Sequence, residues 1–521
     1  MVLDCTLRDG GYCNEWKFGK QNISKIVNGL VEADVDIIEC GFLTKKVEYN
    51  DETTQFTSAL QVGRFLPANK HGKLFVCMVN FGEFPIEELL PAHETALDGI
   101  RVAFHKKDMV QVMEYCQKIK EKGYKVFVQP MVSLSYTDEE FKQLIQLANQ
   151  LNPYAFYIVD SFGVMKRRNL LKLYHIVTEF LNENIIVGYH SHNNMQLAYS
   201  NAQTLADIET SREMIIDSSI FGMGRGAGNL NTELFVEYLN DNCGKSYVRR
   251  PLLIIIDEIL NNFHETNYWG YSLPNYLSAK HNAHPNYAGY LDSKKTLTVE
   301  AMDEIFAMMD EDKKISYDKH YAESLYVKYM ARGSANQERL AEFKNLLAGK
   351  SVLIVAPGSS SITERDKILQ LAEREEVVVI SVNFQYTECE TDFIFMSNLR
   401  RFRELSQGRE KCVVTSNISG EGVYLQVNYE SLLNEYETVR DNAGMMLIKL
   451  LIELGVKKVY LAGLDGYSVD PTENFADETM RFYTQKDVFE AMNEGMNNAL
   501  KEFGKKIDVE FVTEPKYVTV K

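Results

Sequence analysis

Ile185-Ile186-Val187-Gly188-Tyr189-His190-Ser191-His192 is an apolar run that ends in two histidines, and Gln196–Ile208 behind it repeats its apolar residues at helical spacing. The unit is therefore a strand followed by a helix. Working outward in both directions, the same unit recurs. Strand-like runs fall at Val2–Leu7, Asp36–Phe42, Lys73–Asn80, Gly99–Phe104, Lys125–Met131, Ala155–Asp160 and Met214–Phe221, and helical segments lie between them. A doubly wound open sheet shows the same alternation. Eight units in about 240 residues match the size of a closed (β/α)8 barrel, and that is the fold expected for residues 1–245. In such a barrel the strand C-termini converge on one mouth.

Polar residues collect at those strand ends: Arg8-Asp9, Glu39, His105, Asp160-Ser161, His190 with His192, and Asn229. Residues two apart on a strand point the same way, so His190 and His192 share a side. Two imidazoles and the Asp9 carboxylate suit a divalent ion, with coordination positions left for water and a chelating substrate. Arg8 beside them offers permanently charged donors to a carboxylate or a developing enolate oxygen. Gly10 and Gly11 leave room for a ligand near the backbone.

Residues 246–345 break the alternation and read as a helical extension, with an aromatic stretch at Tyr268–Tyr276 and histidines at 264, 281 and 284. More strand-like runs start at Ser351–Ala356, so residues 346–521 are expected to form a second, Rossmann-like α/β domain. Its first strand opens into Pro357-Gly358-Ser359-Ser360-Ser361. A strand, a small-residue turn and a helix can present backbone N–H groups to an anion, although the full GxGxxG and the P-loop lysine are missing.

The chain has 521 residues, 45% hydrophobic and 25% charged, with a net charge of −17. That balance argues against a nucleic-acid polymer as partner. An anionic small substrate then has to be drawn in locally, by Arg8, Arg101, Lys45, Lys46 and Arg225 together with the metal. Eight scattered cysteines without a CxxC pair fit free thiols in the cytoplasm. Neither a leader nor a membrane-spanning apolar run is expected.

Thr6-Leu7-Arg8-Asp9-Gly10, Ile38-Glu39-Cys40-Gly41-Phe42, Arg101-Val102-Ala103-Phe104-His105, Val159-Asp160-Ser161, His190-Ser191-His192-Asn193-Asn194 and Gly222-Met223-Gly224-Arg225-Gly226-Ala227-Gly228-Asn229 occur in that order. Together they resemble the DRE-TIM metallolyase superfamily, which includes hydroxymethylglutaryl-CoA lyase, isopropylmalate synthase and, with the most similar motifs, 4-hydroxy-2-oxovalerate aldolase. The resemblance implies that Asp9, His190 and His192 ligate Mn2+ or Mg2+, with Asn229 as a further ligand or a neighbour of one. It implies that Arg8 stabilises an enolate formed from a 2-oxo acid. Arg101, Asp160, Ser161 and Tyr287 are the candidates for contacting substrate. The sequence departs from the family at the general base. The aldolases carry a histidine shortly after their RDG and the synthases carry Glu-Gln, whereas this chain has Gly11-Tyr12-Cys13-Asn14. Tyr12, His105 and Tyr287 are the substitutes available.

The C-terminal region is similar to the nucleotide-binding domains of sialyltransferase-like and pterin-pyrophosphokinase-like proteins. That similarity implies a nucleotide or nucleotide-sugar partner, with phosphates on Gly358, Ser359 and Ser360 and a ribose or metal on Asp465, and it suggests a sugar-derived substrate in surface-polysaccharide metabolism. A homo-oligomer is expected. The leading expectation is a metal-dependent aldolase or lyase acting on a 2-oxo acid. The alternatives are a Claisen-type acyl-CoA synthase at the same site, or a non-catalytic barrel beside a nucleotide-using transferase domain.

Overall fold

The computed structural model describes residues 1–517 apart from 334–335, 406, 421, 469, 471–472, 477–479 and 481–485. Eight strands form the barrel: β1 (Val2–Asp4), β2 (Ile37–Leu43), β3 (Leu74–Asn80), β4 (Gly99–Phe104), β5 (Lys125–Pro130), β6 (Ala155–Asp160), β7 (Ile186–Ser191) and β8 (Met214–Ser218). Each pairs in parallel with the next, and β1 pairs with both β8 and β2, which closes the ring. The short strand Gln55–Phe56 adds to β2.

The helices between the strands are amphipathic and cover the outside. In Lys20–Glu32, Ile23, Ile26, Val27 and Leu30 follow the 3.6-residue period and are buried against the barrel, each worth about 1.5–3 kcal/mol. Asp138–Leu151 starts in a capping box: Thr137 Oγ1 accepts from the Glu140 amide at 3.2 Å, and the Glu140 carboxylate accepts from the Thr137 amide at 2.8 Å. After β3 the crossover is made by short 3-10 turns at Ile86–Glu88 and Ala92–Glu94.

Inside the barrel the strand alternation sorts side chains into layers. Leu3, Ile37, Val76, Phe127, Ile186 and Ile215 form an apolar cluster. Two residues further along the same strands come Glu39, Gly188 and Asp217. A Cβ on Gly188 would collide with the Tyr157 ring. His190 follows two residues beyond Gly188. The polar site thus stands directly on an apolar plug.

One boundary differs from the sequence reading. Strand β1 stops at Asp4, because the Asp4 carboxylate accepts from the Thr6 amide at 2.9 Å and turns the chain. Thr6–Asp9 is a helical turn, so Asp9 reaches the mouth from a turn and not from a strand end. Gly10 and Gly11 make room for Met223 and the Trp16 ring.

Two compact units are formed: Met1–Ser293 with Met309–Asp318, and Lys294–Met308 with Lys319–Lys521. The second contains a parallel sheet of β9 (Ser351–Val355), β10 (Val377–Val382), β11 (Phe393–Met396), β12 (Cys412–Thr415), β13 (Leu425–Val427), β14 (Lys458–Ala462) and β15 (Asp508–Phe511), ordered β13-β12-β11-β10-β9-β14-β15. The chain runs outward from β9 on one side and then returns to the other. The order therefore reverses between β9 and β14. Among the described residues no helix is long and apolar enough to cross a membrane.

Strand β2 shifts its register against β3 between Glu39 and Phe42, and Gly41 there has φ +146, with the Thr54 carbonyl where a Cβ would stand. The Gly41→Ala variant should therefore lose at least about 2 kcal/mol in urea unfolding. An unchanged midpoint would show that the bulge does not need glycine.

Candidate functional site

Asp9, His190 and His192 are all buried, and one ligand atom from each lies within 4.8 Å of the others. It is the one such His/Cys/carboxylate group among the described residues. The two imidazole centroids are 5.1 Å apart and nearly perpendicular. His190 Nδ1 lies 3.0 Å from Asp217 Oδ2, and His192 Nδ1 lies 3.2 Å from the Asp160 carbonyl oxygen. Each Nδ1 therefore faces an acceptor and carries the hydrogen, which leaves each Nε2 lone pair free. His192 Nε2 is buried without a hydrogen-bond partner. Burial lowers the His190 pKa to about 4, so the ring is neutral at neutral pH. Burial alone would raise the Asp9 pKa, but Arg8 and His192 hold it well below the ordinary carboxylate range. Two imidazoles, one of them with a buried orphan Nε2, and a carboxylate fit a divalent cation. Asn229 Nδ2 donates to Asp9 Oδ2 at 2.7 Å, and its Oδ1 is buried with no partner. Asn229 thus stands beside the ligand carboxylate.

A chain of buried charges lies underneath. Arg8 pairs with Asp9, and its Nε donates to Glu39 Oε2 at 2.9 Å. Arg101 donates to the same Glu39 oxygen at 2.6 Å and pairs with Asp217. Asp217 in turn holds His190. Arg8 Nη2 is buried with no partner.

Four of the residues expected to contact substrate make bonds inside the protein. Arg101 is 0% exposed and belongs to this charge network, so it positions the site instead of touching substrate. Both Asp160 carboxylate oxygens accept loop amides, of Val164 and Met165, each at 2.9 Å, and it is the Asp160 carbonyl that orients His192. Ser161 Oγ accepts from the Val132 amide at 2.8 Å. The Tyr287 hydroxyl is bonded to the Lys313 and Ser316 carbonyls and the Asp318 amide, which rules it out as a base. Of the other two base candidates, Tyr12 is 41% exposed and stacks edge-on with Trp16 and Phe42. Desolvation raises its pKa above that of an ordinary phenol. His105 follows β4 at the mouth, half-buried, with a pKa lowered by desolvation and Lys107.

Lys45 and Lys46 are paired with Glu88 at 2.5 Å and Glu83 at 2.8 Å. His264 lies in an aromatic cluster with Phe221, Tyr268 and Trp269. Asp217 escaped the sequence reading. Its signal was an acid inside the apolar run Met214-Ile215-Ile216-Asp217.

In the second unit, the turn after β9 is already filled. Asp465 Oδ2 accepts from the Ser360 amide at 2.8 Å and from Ser359 Oγ at 3.4 Å, and its other oxygen accepts from Ser360 Oγ. A Cβ on Gly358 would lie 2.6 Å from Asp465 Oδ2. The Gly358 amide is spent on the Gly463 carbonyl and the Ser360 amide on a carboxylate that would repel phosphate. The turn expected to receive a nucleotide through Gly358, Ser359, Ser360 and Asp465 therefore holds the Asp465 carboxylate.

Fold and site together define a (β/α)8 barrel with an Asp/His/His centre at its mouth. Residues 1–246 match the family model described as HMGL-like, which bears out the metallolyase resemblance for the barrel. The 4-hydroxy-2-oxovalerate aldolase of Geobacillus genomosp. 3 is 27% identical over 243 residues, 46% of this chain and 70% of that protein. The protein of the same name from Pelotomaculum thermopropionicum is 28% identical over 242 residues, 46% of this chain and 69% of its own length. The structure of Rhizobium etli pyruvate carboxylase T882A aligns at 12% identity and a TM-score of 0.50, covering 63% of this chain and 35% of that one, and speaks to the fold alone.

Because Asp217 fixes the His190 tautomer, Asp217→Asn should weaken Mn2+ binding by roughly 10–100-fold in calorimetry. Unchanged affinity would remove the orienting role.

Proposed function

We propose that the barrel is a divalent-metal-dependent aldolase or lyase that makes or breaks the carbon–carbon bond next to the keto group of a 2-oxo acid. The observation that carries this reading is the buried, unpartnered Nη2 of Arg8 beside Asp9, His190 and His192. Asp9, His190 and His192 would hold Mn2+ or Mg2+, both of which accept oxygen and imidazole donors. Such an ion supplies Lewis-acid polarisation of the carboxylate and keto oxygens of the substrate.

The chain's own residues account for the rest. Arg8 is fixed by Glu39 and Asp9, and their charges raise its pKa well above the ordinary value against the opposing effect of burial. It therefore meets the developing enolate as a full, preorganised cation. In the cleavage direction a base removes the proton of the 4-hydroxyl, and the C4–O bond becomes a carbonyl. The C3–C4 electron pair stays on the enolate, which a proton at C3 then converts to product. His105 is the favoured base candidate, because desolvation and Lys107 lower its pKa and keep the ring neutral, whereas that of the Tyr12 phenol is raised. The Claisen alternative lacks the Glu-Gln that its synthases carry after the RDG.

All eight cysteines are unpaired, which supports the cytoplasm as the protein's location.

The test is deuterium exchange at C3 of pyruvate with Mn2+ present, read by mass spectrometry, followed by a panel of 4-hydroxy-2-oxo acids that includes sugar-derived ones. Exchange should vanish in His190→Ala. Arg8→Ala should lose on the order of 100-fold or more in turnover while still binding metal. Absence of exchange in the metal-loaded wild type would refute the enolate chemistry, and loss of metal with Arg8 would refute its assigned role.

A further inference from the structure

Gly224 lines the candidate metal centre. A Cβ there would lie 2.8 Å from Asp9 Oδ2 and collide with Asn229 Nδ2. The next residue is Arg225, whose Cα is about 3.8 Å further along the chain. Its Nη2 donates to the Ser161 carbonyl at 3.2 Å, and its guanidinium carbon lies 5.4 Å from the centre of the Tyr12 ring. Its Nε is buried with no partner. Among the described residues no carboxylate pairs with Arg225, in a chain whose net charge is −17. Lys45 and Lys46, the other cations expected to attract substrate, are both neutralised by glutamates.

Facing Arg225 is His284, from the segment that leads into helix Pro285–Ser293. His284 Nδ1 accepts from the Asn286 amide at 3.2 Å, and its Nε2 is 3.4 Å from Arg225 Nη1. A neutral imidazole has one N–H and one in-plane lone pair, yet both of its neighbours here are donors. With the lone pair on the closer Asn286 amide, Nε2–H points at a guanidinium N–H with no acceptor between them. The other tautomer only moves the mismatch to Asn286. Burial and the Arg225 charge push the His284 pKa down to about 3, so the ring remains neutral and does not repel Arg225 as a second cation. An anionic oxygen is the group that would satisfy both donors, and the unpartnered Arg225 Nε offers a third.

We propose that Arg225 and His284 Nε2–H form a receptor for a second anionic group on the substrate. The substrate is then a dianionic 4-hydroxy-2-oxo acid, with one carboxylate at the Arg8 and metal end and a carboxylate or phosphate on the fragment that leaves as aldehyde. This rests on the aldolase reading above. In the synthetic direction, C3 of the pyruvate enolate bonds to the aldehyde carbon and the aldehyde oxygen takes up a proton, while the anion on the aldehyde remains on Arg225.

The experiment uses the full chain with Mn2+ and pyruvate, and compares kcat/KM for glyoxylate, glycolaldehyde phosphate and uncharged glycolaldehyde. The wild type should prefer a charged aldehyde by roughly 100-fold, and the preferred anion distinguishes carboxylate from phosphate. In Arg225→Gln the charged-to-uncharged ratio should collapse towards one. Arg225→Lys should keep part of the ratio, and His284→Phe should reduce it. Equal use of charged and uncharged aldehydes by the wild type, or a ratio that Arg225→Gln leaves intact, would overturn the receptor alone. Absence of C3 exchange in pyruvate would remove the aldolase reading and the receptor with it.

Discussion

The site depends on one buried chain of charge: Asp9, Arg8, Glu39, Arg101, Asp217, His190. Its two ends are metal-ligand candidates from opposite limits of the barrel sequence, and its middle is two guanidiniums and two carboxylates shielded from water. Removing one partner from such a chain strands a charge in low dielectric, at about 3–5 kcal/mol. That penalty makes the arrangement stiff. Asp9 is tied to Arg8, and His190 is tied to the Asp217 carboxylate that also holds Arg101. The barrel's closure is what brings β2, β4 and β8 close enough for these three strands to share the load.

The charge balance of the chain bears on what the mouth accepts. Arg8 and Arg101 contribute two positive charges, and Asp9, Glu39 and Asp217 contribute three negative ones, while the His190 ring is neutral. A dry cluster that is net negative by one favours a divalent cation, and the cluster with that cation is net positive and favours an anion. Burial raises the Glu39 pKa, opposed by Arg101 and Arg8. The acidic exterior then acts as a filter, since only an anion with specific donors waiting for it gains by entering.

Much of this was legible in the sequence because it is written in local patterns. The apolar runs and helical periods placed all eight strands to within a few residues, and strand parity put His190 and His192 on one side. The failure at Val2–Leu7 was also local. An aspartate side chain competed for the backbone at Thr6, and propensity counting does not see a single hydrogen bond. Asp217 was hidden for the opposite reason. Its role exists only through Arg101 and His190, 116 and 27 residues away in sequence. In the second unit the strand–turn–helix pattern after β9 was read correctly as a turn. That the carboxylate of Asp465 fills it follows from the pairing of β9 with β14, and no reading of the turn alone contains that fact.

Polar residues at a barrel mouth have two kinds of work, and their spelling does not separate them. Loop backbones there need partners for their amides, and Asp160, Ser161 and Tyr287 are consumed by that need. The Asp160 carboxylate and the Tyr287 hydroxyl are engaged inside the protein, and Ser161 Oγ accepts one amide there. Arg8 Nη2, His192 Nε2, Asn229 Oδ1 and Arg225 Nε are buried as well, yet each is left without a partner. A buried unsatisfied group costs about 1–3 kcal/mol, and these four stand around one barrel mouth. The imbalance has a common resolution. Two of the four are donors on cations, one is an imidazole nitrogen and one is an amide oxygen. These are the kinds of atom that a divalent cation and anionic oxygens would satisfy, as the proposed 2-oxo acid chemistry requires. The unspent atoms, more than the residue names, are what give this mouth its chemistry.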